Sequence, residues 1–375
     1  MSGTSLDGLD IALCSIENSG MDTKLELLKY TTIDYTDDFK NEIRTVFAKK
    51  IIDLEKLCIL NPWIALQHAA IINNCLQKWN ISPDEIDLIA SHGQTVYHAP
   101  QRLHQQPKFG NATLQIGDGD HLAVATGIIT ISDFRQKNIA AGGEGAPLAV
   151  YGDYLLFGKK GEDRILLNIG GISNFTFLPG NDENILCTDV GPGNTLMDAF
   201  MQQHFPEKSY DSDAAIARSG NVNENLLFAL KEHDFFKQSF PKTTGPELFN
   251  LEYLEQAKQE SETTLLSAAD TMATLNKFSA DTIVSAIKEC IKNKTEVSIF
   301  GSGGGIHNPL LMQQLQKQLT DCSFKNISET GINPDAKEAI LFAVLANETV
   351  CGNKISEKNI AGIVPVSMGK ISFPA

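Results

Sequence analysis

Short apolar runs that stop at glycine-containing polar loops alternate along this chain with longer stretches whose apolar residues recur at helical spacing. Residues 11–16 alternate weakly after a Gly/Ser/Thr turn, which predicts a strand. Residues 61–79 carry apolar side chains near helical spacing, with Pro62 suited to a first turn. Ser82-Pro83-Asp84-Glu85 opens a short turn or helix before the apolar run 86–90, which stops at Ser91-His92-Gly93-Gln94. The β-branched run 127–131 ends similarly, at Ser132-Asp133-Phe134-Arg135, and the Gly-rich stretch 140–147 follows. A strand ending in a polar glycine loop is a common site layout in open α/β sheets, where ligands bind outside the carboxyl ends of strands.

The second half repeats the pattern. Residues 164–169 read as a buried strand entering Gly170-Gly171-Ile172-Ser173-Asn174, with 175–178 as its return. Residues 185–188 lead to Asp189-Val190-Gly191-Pro192-Gly193-Asn194, and 195–204 continue as a helix with Leu196, Met197 and Phe200 on one face. Residues 252–292 are mostly helical, and 297–300 form a strand before Gly301-Ser302-Gly303-Gly304-Gly305. A helix opens near Asn308, and another covers 334–350 with Ala339, Phe342, Ala343 and Ala346 on one face. The alternation predicts an α/β protein. There is also an internal echo: residues 1–8 and 168–174 are both small-residue turns feeding a returning strand, which suggests two related lobes.

Length agrees with two lobes, because 375 residues exceed the roughly 250–300 at which one core usually stops growing. The 31 Lys and Arg against 46 Asp and Glu leave a net charge of −15, which argues against nucleic acid and anionic membranes as partners. No run approaches the ~18 apolar residues of a spanning helix. The start, MSGTSLDGLD, lacks the basic and apolar regions of an export signal, so a cytoplasmic protein is expected. Seven scattered cysteines without a CxxC pair read as buried small hydrophobes in a reducing compartment.

Glycine turns after strands let backbone N–H groups approach a phosphate, and the hydroxyls of Thr4, Ser5 and Ser173 add donors. Each turn alone reads equally as a tight connection, but five together imply a polyphosphate ligand. No GxxxxGK[ST] occurs, and the 301–305 stretch lacks GxGxxG spacing, which disfavours a P-loop NTPase or a dinucleotide dehydrogenase. Asp189, before Gly-Pro-Gly-Asn, is either a site carboxylate or a turn-stabilising one, and Asn194 is placed to cap the next helix. Asp7 suits an indirect Mg²⁺ contact, since that ion keeps several waters and takes few carboxylates. Glu338 is placed to reach a sugar hydroxyl or to be an exposed first-turn acid. His92 and His98 lack the spacing of a helical metal pair. Arg102, Arg135 and Lys137 are cations available to a substrate carboxylate, though a solvated surface charge is the plainer reading of each.

The motifs MSGTSLDGLD, ASHGQTVYH, LQIGDG, DFRQKNIAAGGEGAPL, LNIGGISN, TDVGPGNTLMDAF, FGSGGGIHNPLLM and NPDAKEAILFAVLA, in this order from residue 1 to 346, resemble the anhydro-N-acetylmuramic acid kinase family. The resemblance implies the two-lobed actin-like ATPase fold, ribonuclease H-like, with mixed sheets and flanking helices around a central cleft. It implies lobes of 1–132 with about 346–375, and of 133–345. It implies that ATP, with Mg²⁺, and water convert 1,6-anhydro-N-acetylmuramate to N-acetylmuramate 6-phosphate in cell-wall recycling, in a homodimer.

Residue by residue, Gly3, Thr4, Ser5, Leu6, Asp7, Gly8, Leu9 and Asp10 correspond to the first phosphate turn, and Gly170 and Gly171 to the second. Gly303, Gly304 and Gly305 match the nucleoside-side loop, Asp189 the catalytic aspartate, and Glu338 a sugar-pocket glutamate; Ser91, His92 and Gln94 fall in a substrate-side motif. Two other readings share these residues: a kinase of an ordinary sugar hydroxyl, deprotonated directly by Asp189, and a non-catalytic ATP-binding regulatory module. The family has a short apolar strand before Met-Ser-Gly-Thr, where this numbering starts, so an exposed sheet edge is expected beside the nucleotide site.

Overall fold

The weakly alternating start of the chain folds as a long hairpin in the computed structural model, which describes residues 1–2, 6–145, 148–181, 184–292, 294, 296–330, 332–333, 336–352 and 366–375. Strand β1 (Gly8–Glu17) runs antiparallel to β2 (Lys24–Asp34), with a register shift between Leu13 and Cys14. The helix expected at 61–79 is Leu54–Trp79. Asp53 caps it by accepting from the Glu55 and Lys56 N–H groups, so Pro62 lies inside the helix and not in its first turn. Leu60, Ile64 and Leu9 pack in one core with Phe39, Val96 and Ile116.

The run 86–90 yields a strand of only two residues, β3 (Ile89–Ala90). After it come the antiparallel pair β4 (Gln94–Ala99) and β5 (Ala112–Ile116), then β6 (Thr130–Ser132), which is parallel to β3 and antiparallel to the C-terminal strand Lys370–Ser372. The helix Lys337–Val350 packs on β1 and β3. Among the described strands β1 pairs only with β2, and beyond a short bridge to Ser2 its other side lines a cavity of about 800 Å³. Ile86, Leu88 and Ile89 form another wall of that cavity.

The middle of the chain builds a second sheet of five strands: β7 (Arg164–Ile169), β8 (Ile172–Leu178), β9 (Leu186–Pro192), β10 (Val297–Ser302) and β11 (Cys322–Asn326). Their order is β11-β10-β7-β8-β9, an antiparallel meander of three strands extended by two parallel ones. This is the mixed sheet of a ribonuclease H-like lobe, as the resemblance implied. The helix Ala268–Ile291, capped by Ser267, is buried on most of its surface. It contributes Ile283 and Ile287 to the core over the sheet, and Leu275 and Phe278 to a second core with Leu196, Met197 and Phe200.

The chain divides into two compact units, each with its own apolar core. One holds Met1–Phe157 with the described part of Ile332–Lys358 and Ile363–Ala375; the other holds the described part of Gly158–Gly331. These bounds differ from the expected 132/133 and about 345/346, because the helices Ala149–Phe157 and Lys337–Val350 pack on each other within the first unit. Cysteine burial also differs from expectation: all seven thiols are free, Cys75 is buried, and Cys58 and Cys351 are exposed.

Candidate active site

Asp189 does not end its strand. Strand β9 continues through it to Pro192, with Asp189 opposite Asn174 of β8. Backbone pairing rather than a turn therefore fixes its position. A distant segment clamps it from the other side: the Asp189 N–H donates to Lys242 O at 3.0 Å, and the Thr244 N–H donates to Asp189 Oδ2 at 2.9 Å. The Lys242 N–H donates to Thr188 Oγ1 at 3.0 Å. The Lys242 side chain is buried, donates to Phe235 O at 3.2 Å, and lies over the rings of Phe235, Phe236 and Phe240. Burial pushes the Asp189 carboxyl above its ordinary value; the Thr244 N–H opposes this and the Glu247 charge adds to it. Among the described residues no donor is bonded to Asp189 Oδ1. The carboxylate is thus held by one oxygen and free to take a proton on the other. Lys242 and Thr244 have no motif value alone; only the fold brings them to Asp189.

Three glycine-bearing segments converge near this strand. Gly193 and Thr195 N–H groups donate to Gly171 O at 2.8 and 3.1 Å, and the Asn194 N–H donates to Gly170 O at 2.8 Å. A Cβ on Gly193 would stand 2.3 Å from Gly170 O, so only glycine fits there. Gly303 has φ +83°, and a Cβ on it would meet Ile169 O at 2.6 Å. Gly305 packs on Ile169 and Gly304 lies beside Asn194. At Gly170 and Gly171 nothing lies within 3.5 Å of a notional Cβ, so packing does not require glycine, and while both carbonyls are taken no described acceptor is bonded to either N–H. Two expectations change. Asn194 sits at the N-cap of the helix Thr195–His204 without a side-chain capping bond, and Ser173 is fully buried, its hydroxyl facing the Gly193 backbone instead of a ligand surface.

In the other unit, Gly3, Thr4 and Ser5 lie outside the described residues. The rest of that turn is divided in role. Leu6 has φ 59°, a strained conformation for a branched side chain, and with Leu9 it is buried in the core. Gly8 packs against Ile33 O, and Asp10 accepts from Thr32 Oγ1 at 2.6 Å and from the Tyr30 hydroxyl at 3.1 Å. Asp7 alone among them has an exposed side chain, its Oδ1 accepting from the Gly8 N–H at 3.1 Å. Among the described residues no group of three or more His, Cys, Asp or Glu is arranged to hold a metal. An exposed carboxylate fits an ion that keeps its waters and binds mainly through phosphate oxygens.

Ser91 follows β3 and is buried, its N–H donating to Ile131 O at 2.8 Å. Gln94 is fully buried and its Oε1 accepts from Ser2 Oγ, which in turn accepts from the Tyr35 hydroxyl at 2.8 Å. The Tyr35 hydroxyl also lies 2.9 Å from His68 Nε2. Gln94 therefore braces the start of the chain. His92 is buried against Phe342, with Nδ1 2.9 Å from Gly93 O and Nε2 accepting from Arg135 Nε at 2.8 Å. Burial first, then the Arg135 charge, lowers its pKa to about 3, so it is neutral and outside proton transfer near pH 7. Glu338 is exposed in the first turn of the helix Lys337–Val350, and its charge reaches Arg135.

A family model described as "Anhydro-N-acetylmuramic acid kinase" matches residues 1–371. The relative of that name from Pseudoalteromonas atlantica is 56% identical over all of this chain and 94% of its own length. One from Caldanaerobacter subterraneus subsp. tengcongensis is 38% identical over all of this chain and 96% of its own. A solved structure, the activator of the 2-hydroxyisocaproyl-CoA dehydratase from Clostridium difficile with bound ADPNP, aligns over 90% of this chain and 94% of that one. Its 12% identity and TM-score of 0.35 are too low to bear on function or fold. The family matches define an enzyme of the sugar-kinase class. The chain belongs to the anhydro-N-acetylmuramic acid kinase family, whose members phosphorylate the anhydro sugar in cell-wall recycling.

Proposed function

We propose that Asp189 is the general base of a coupled reaction in which water opens the 1,6-anhydro ring and ATP phosphorylates the freed O6. Asp189 accepts a proton from the water whose oxygen attacks the anomeric carbon. The C1–O6 bond breaks, its electron pair stays on O6, and O6 attacks the γ-phosphorus with ADP as leaving group. One base then serves both bond changes. The observation that carries this reading is the carboxylate on β9, gripped through Oδ2 by the Thr244 N–H and raised in pKa by burial.

The open N–H groups of Gly170 and Gly171 and the turns at Gly193 and Gly303 to Gly305 suit the nucleotide phosphates, with Gly3 to Asp10 as the other phosphate turn. Asp7 would hold Mg²⁺ through its waters, and the ion supplies charge neutralisation at the phosphates. Ser91, His92, Gln94 and Glu338 serve the sugar side, with His92 and Gln94 acting through the groups they brace. A cytoplasmic homodimer belongs to this reading and rests on family resemblance.

Replacing Asp189 by Asn keeps the shape of the side chain and removes its basicity. Turnover should be abolished with ATP affinity nearly unchanged, measured by steady-state kinetics and by titration of ATP. A variant keeping more than about a tenth of wild-type kcat, a loss under ~1.4 kcal/mol, would make the base role untenable.

A further inference from the structure

The segment that clamps Asp189 is itself held by a buried lysine. Among the described residues two lysines are buried, Lys242 and Lys258, and Lys258 has Glu255 at 3.7 Å. Lys242 meets no described carboxylate at such a distance; Glu289, on the helix Ala268–Ile291, acts on it only from farther off. Its ammonium donates to Phe235 O at 3.2 Å and lies 4.5, 5.8 and 5.1 Å from the ring centres of Phe235, Phe236 and Phe240. These rings come from both cores of this unit. Phe240 packs on the core over the five-stranded sheet, with Phe175 at 6.3 Å, whereas Phe235 and Phe236 belong to the core of Leu196 and Phe200 and pack on Phe249. The ammonium therefore sits at the seam between the two cores.

Taking an ammonium out of water costs free energy, and a methionine would fill the same slot without that cost. What the charge adds is a fixed end point: one carbonyl acceptor and three ring faces define where the side chain stops, a geometry that a flexible apolar chain lacks. The backbone of the same residue is bonded to β9 at both its groups, the N–H to Thr188 Oγ1 and the carbonyl to the Asp189 N–H. Two residues on, the Thr244 N–H donates to Asp189 Oδ2 at 2.9 Å. The Thr244 hydroxyl is buried without a described partner, so this residue reaches Asp189 through its backbone, and the path of the chain from Lys242 decides where that N–H lies.

We propose that Lys242 is a positioning residue for the Asp189 base: its caged ammonium pins the segment whose Thr244 N–H orients the Asp189 carboxylate. This rests on the reading of Asp189 as the base. Without the cage the Thr244 N–H drifts from Oδ2, and a carboxylate that loses a donor holds its proton more tightly. The charges that act on the pair are Glu247, in the same segment, on Asp189, and Glu289 on Lys242. Asp234 and Lys237, in the turn that carries Phe235 and Phe236, are exposed and pair with each other at 3.3 Å.

The test is the pH profile of kcat for the full chain with ATP, Mg²⁺ and 1,6-anhydro-N-acetylmuramic acid. A general base works deprotonated, so the acid limb of the profile reports Asp189. In Lys242→Met that limb should move to higher pH by about one unit, the effect of losing one hydrogen bond to a charged group, with KM for ATP within about twofold. Phe235→Leu keeps the ammonium and removes the nearest ring face; it should move the limb in the same direction by less, and it decides the matter if Lys242→Met does not fold. Lys242→Arg, a cation that also stacks on rings, should fall between wild type and Lys242→Met, and Lys237→Met should match wild type. A limb that stays in place in Lys242→Met and Phe235→Leu, whatever happens to Tm or to the height of the profile, would overturn the proposal and leave Lys242 a packing residue. So would a shift to lower pH. Turnover by Asp189→Asn with the wild-type acid limb would instead remove the base reading itself, whatever the Lys242 variants do.

Discussion

Thr188 shows how much of the site depends on side chains that never face a ligand. Its hydroxyl accepts from the Lys242 N–H at 3.0 Å and lies 3.2 Å from Lys242 O, so it ties β9 to the segment whose Thr244 N–H grips Asp189. Thr188→Val keeps the shape and leaves buried backbone groups poorly paired, at a cost of roughly 1–3 kcal/mol. Turnover should fall several-fold with KM for ATP unchanged, as steady-state kinetics at fixed sugar will show. A proportional rise in KM for ATP would mean that the tie supports the nucleotide side instead. None of this was legible beforehand. Asp189 stood out beside its Gly-Pro-Gly-Asn turn, but Lys242 is 54 positions away from Thr188 and belongs to no recognisable pattern. Arg135 was visible as a cation, whereas its bonds to the buried His92 and to a carbonyl ten residues on were not.

Among elements, the helix Thr195–His204 carries a further consequence of burial. Asp198 lies in its first turn, where the helix dipole favours an acid, yet burial dominates and raises its pKa to about 6. The folded chain therefore holds a proton that the unfolded chain, with a carboxyl near 3.8, has released. Its contribution to stability is fully present below about pH 4 and is lost as pH rises through about 6. Asp198→Asn should flatten the pH dependence of Tm across that window and raise Tm at pH 7 to 8. A wild-type and variant difference that stays constant from pH 4 to 8 would contradict this.

Strand and helix identity were largely readable, because alternation and helical spacing survive into the structure in β1, β7 and β10 and in the helix Ala268–Ile291. Boundaries were less so. Pro62 suggested a helix start, but Asp53 provides the stronger one, and a long helix with many buried contacts tolerates an internal proline. Likewise the run 86–90 looked like a full strand; only Ile89 and Ala90 pair with β6, while Ile86 and Leu88 line the cavity beside β1.

For the whole molecule, the net charge of −15 means that ATP and an anionic sugar gain nothing from long-range attraction. On the proposed function, recognition has to come from local groups, such as the N–H groups of Gly170 and Gly171 and the exposed carboxylate of Asp7. That distribution is why the informative positions in the sequence were glycines, with few Lys or Arg among them. The central claim is that water, activated by Asp189, enters the product during phosphorylation. Incubation with ATP, Mg²⁺ and 1,6-anhydro-N-acetylmuramic acid in ¹⁸O-water, followed by mass analysis of the 6-phosphorylated sugar, tests it directly. Label at the anomeric hydroxyl is the predicted result, and a phosphorylated product carrying no label would contradict it.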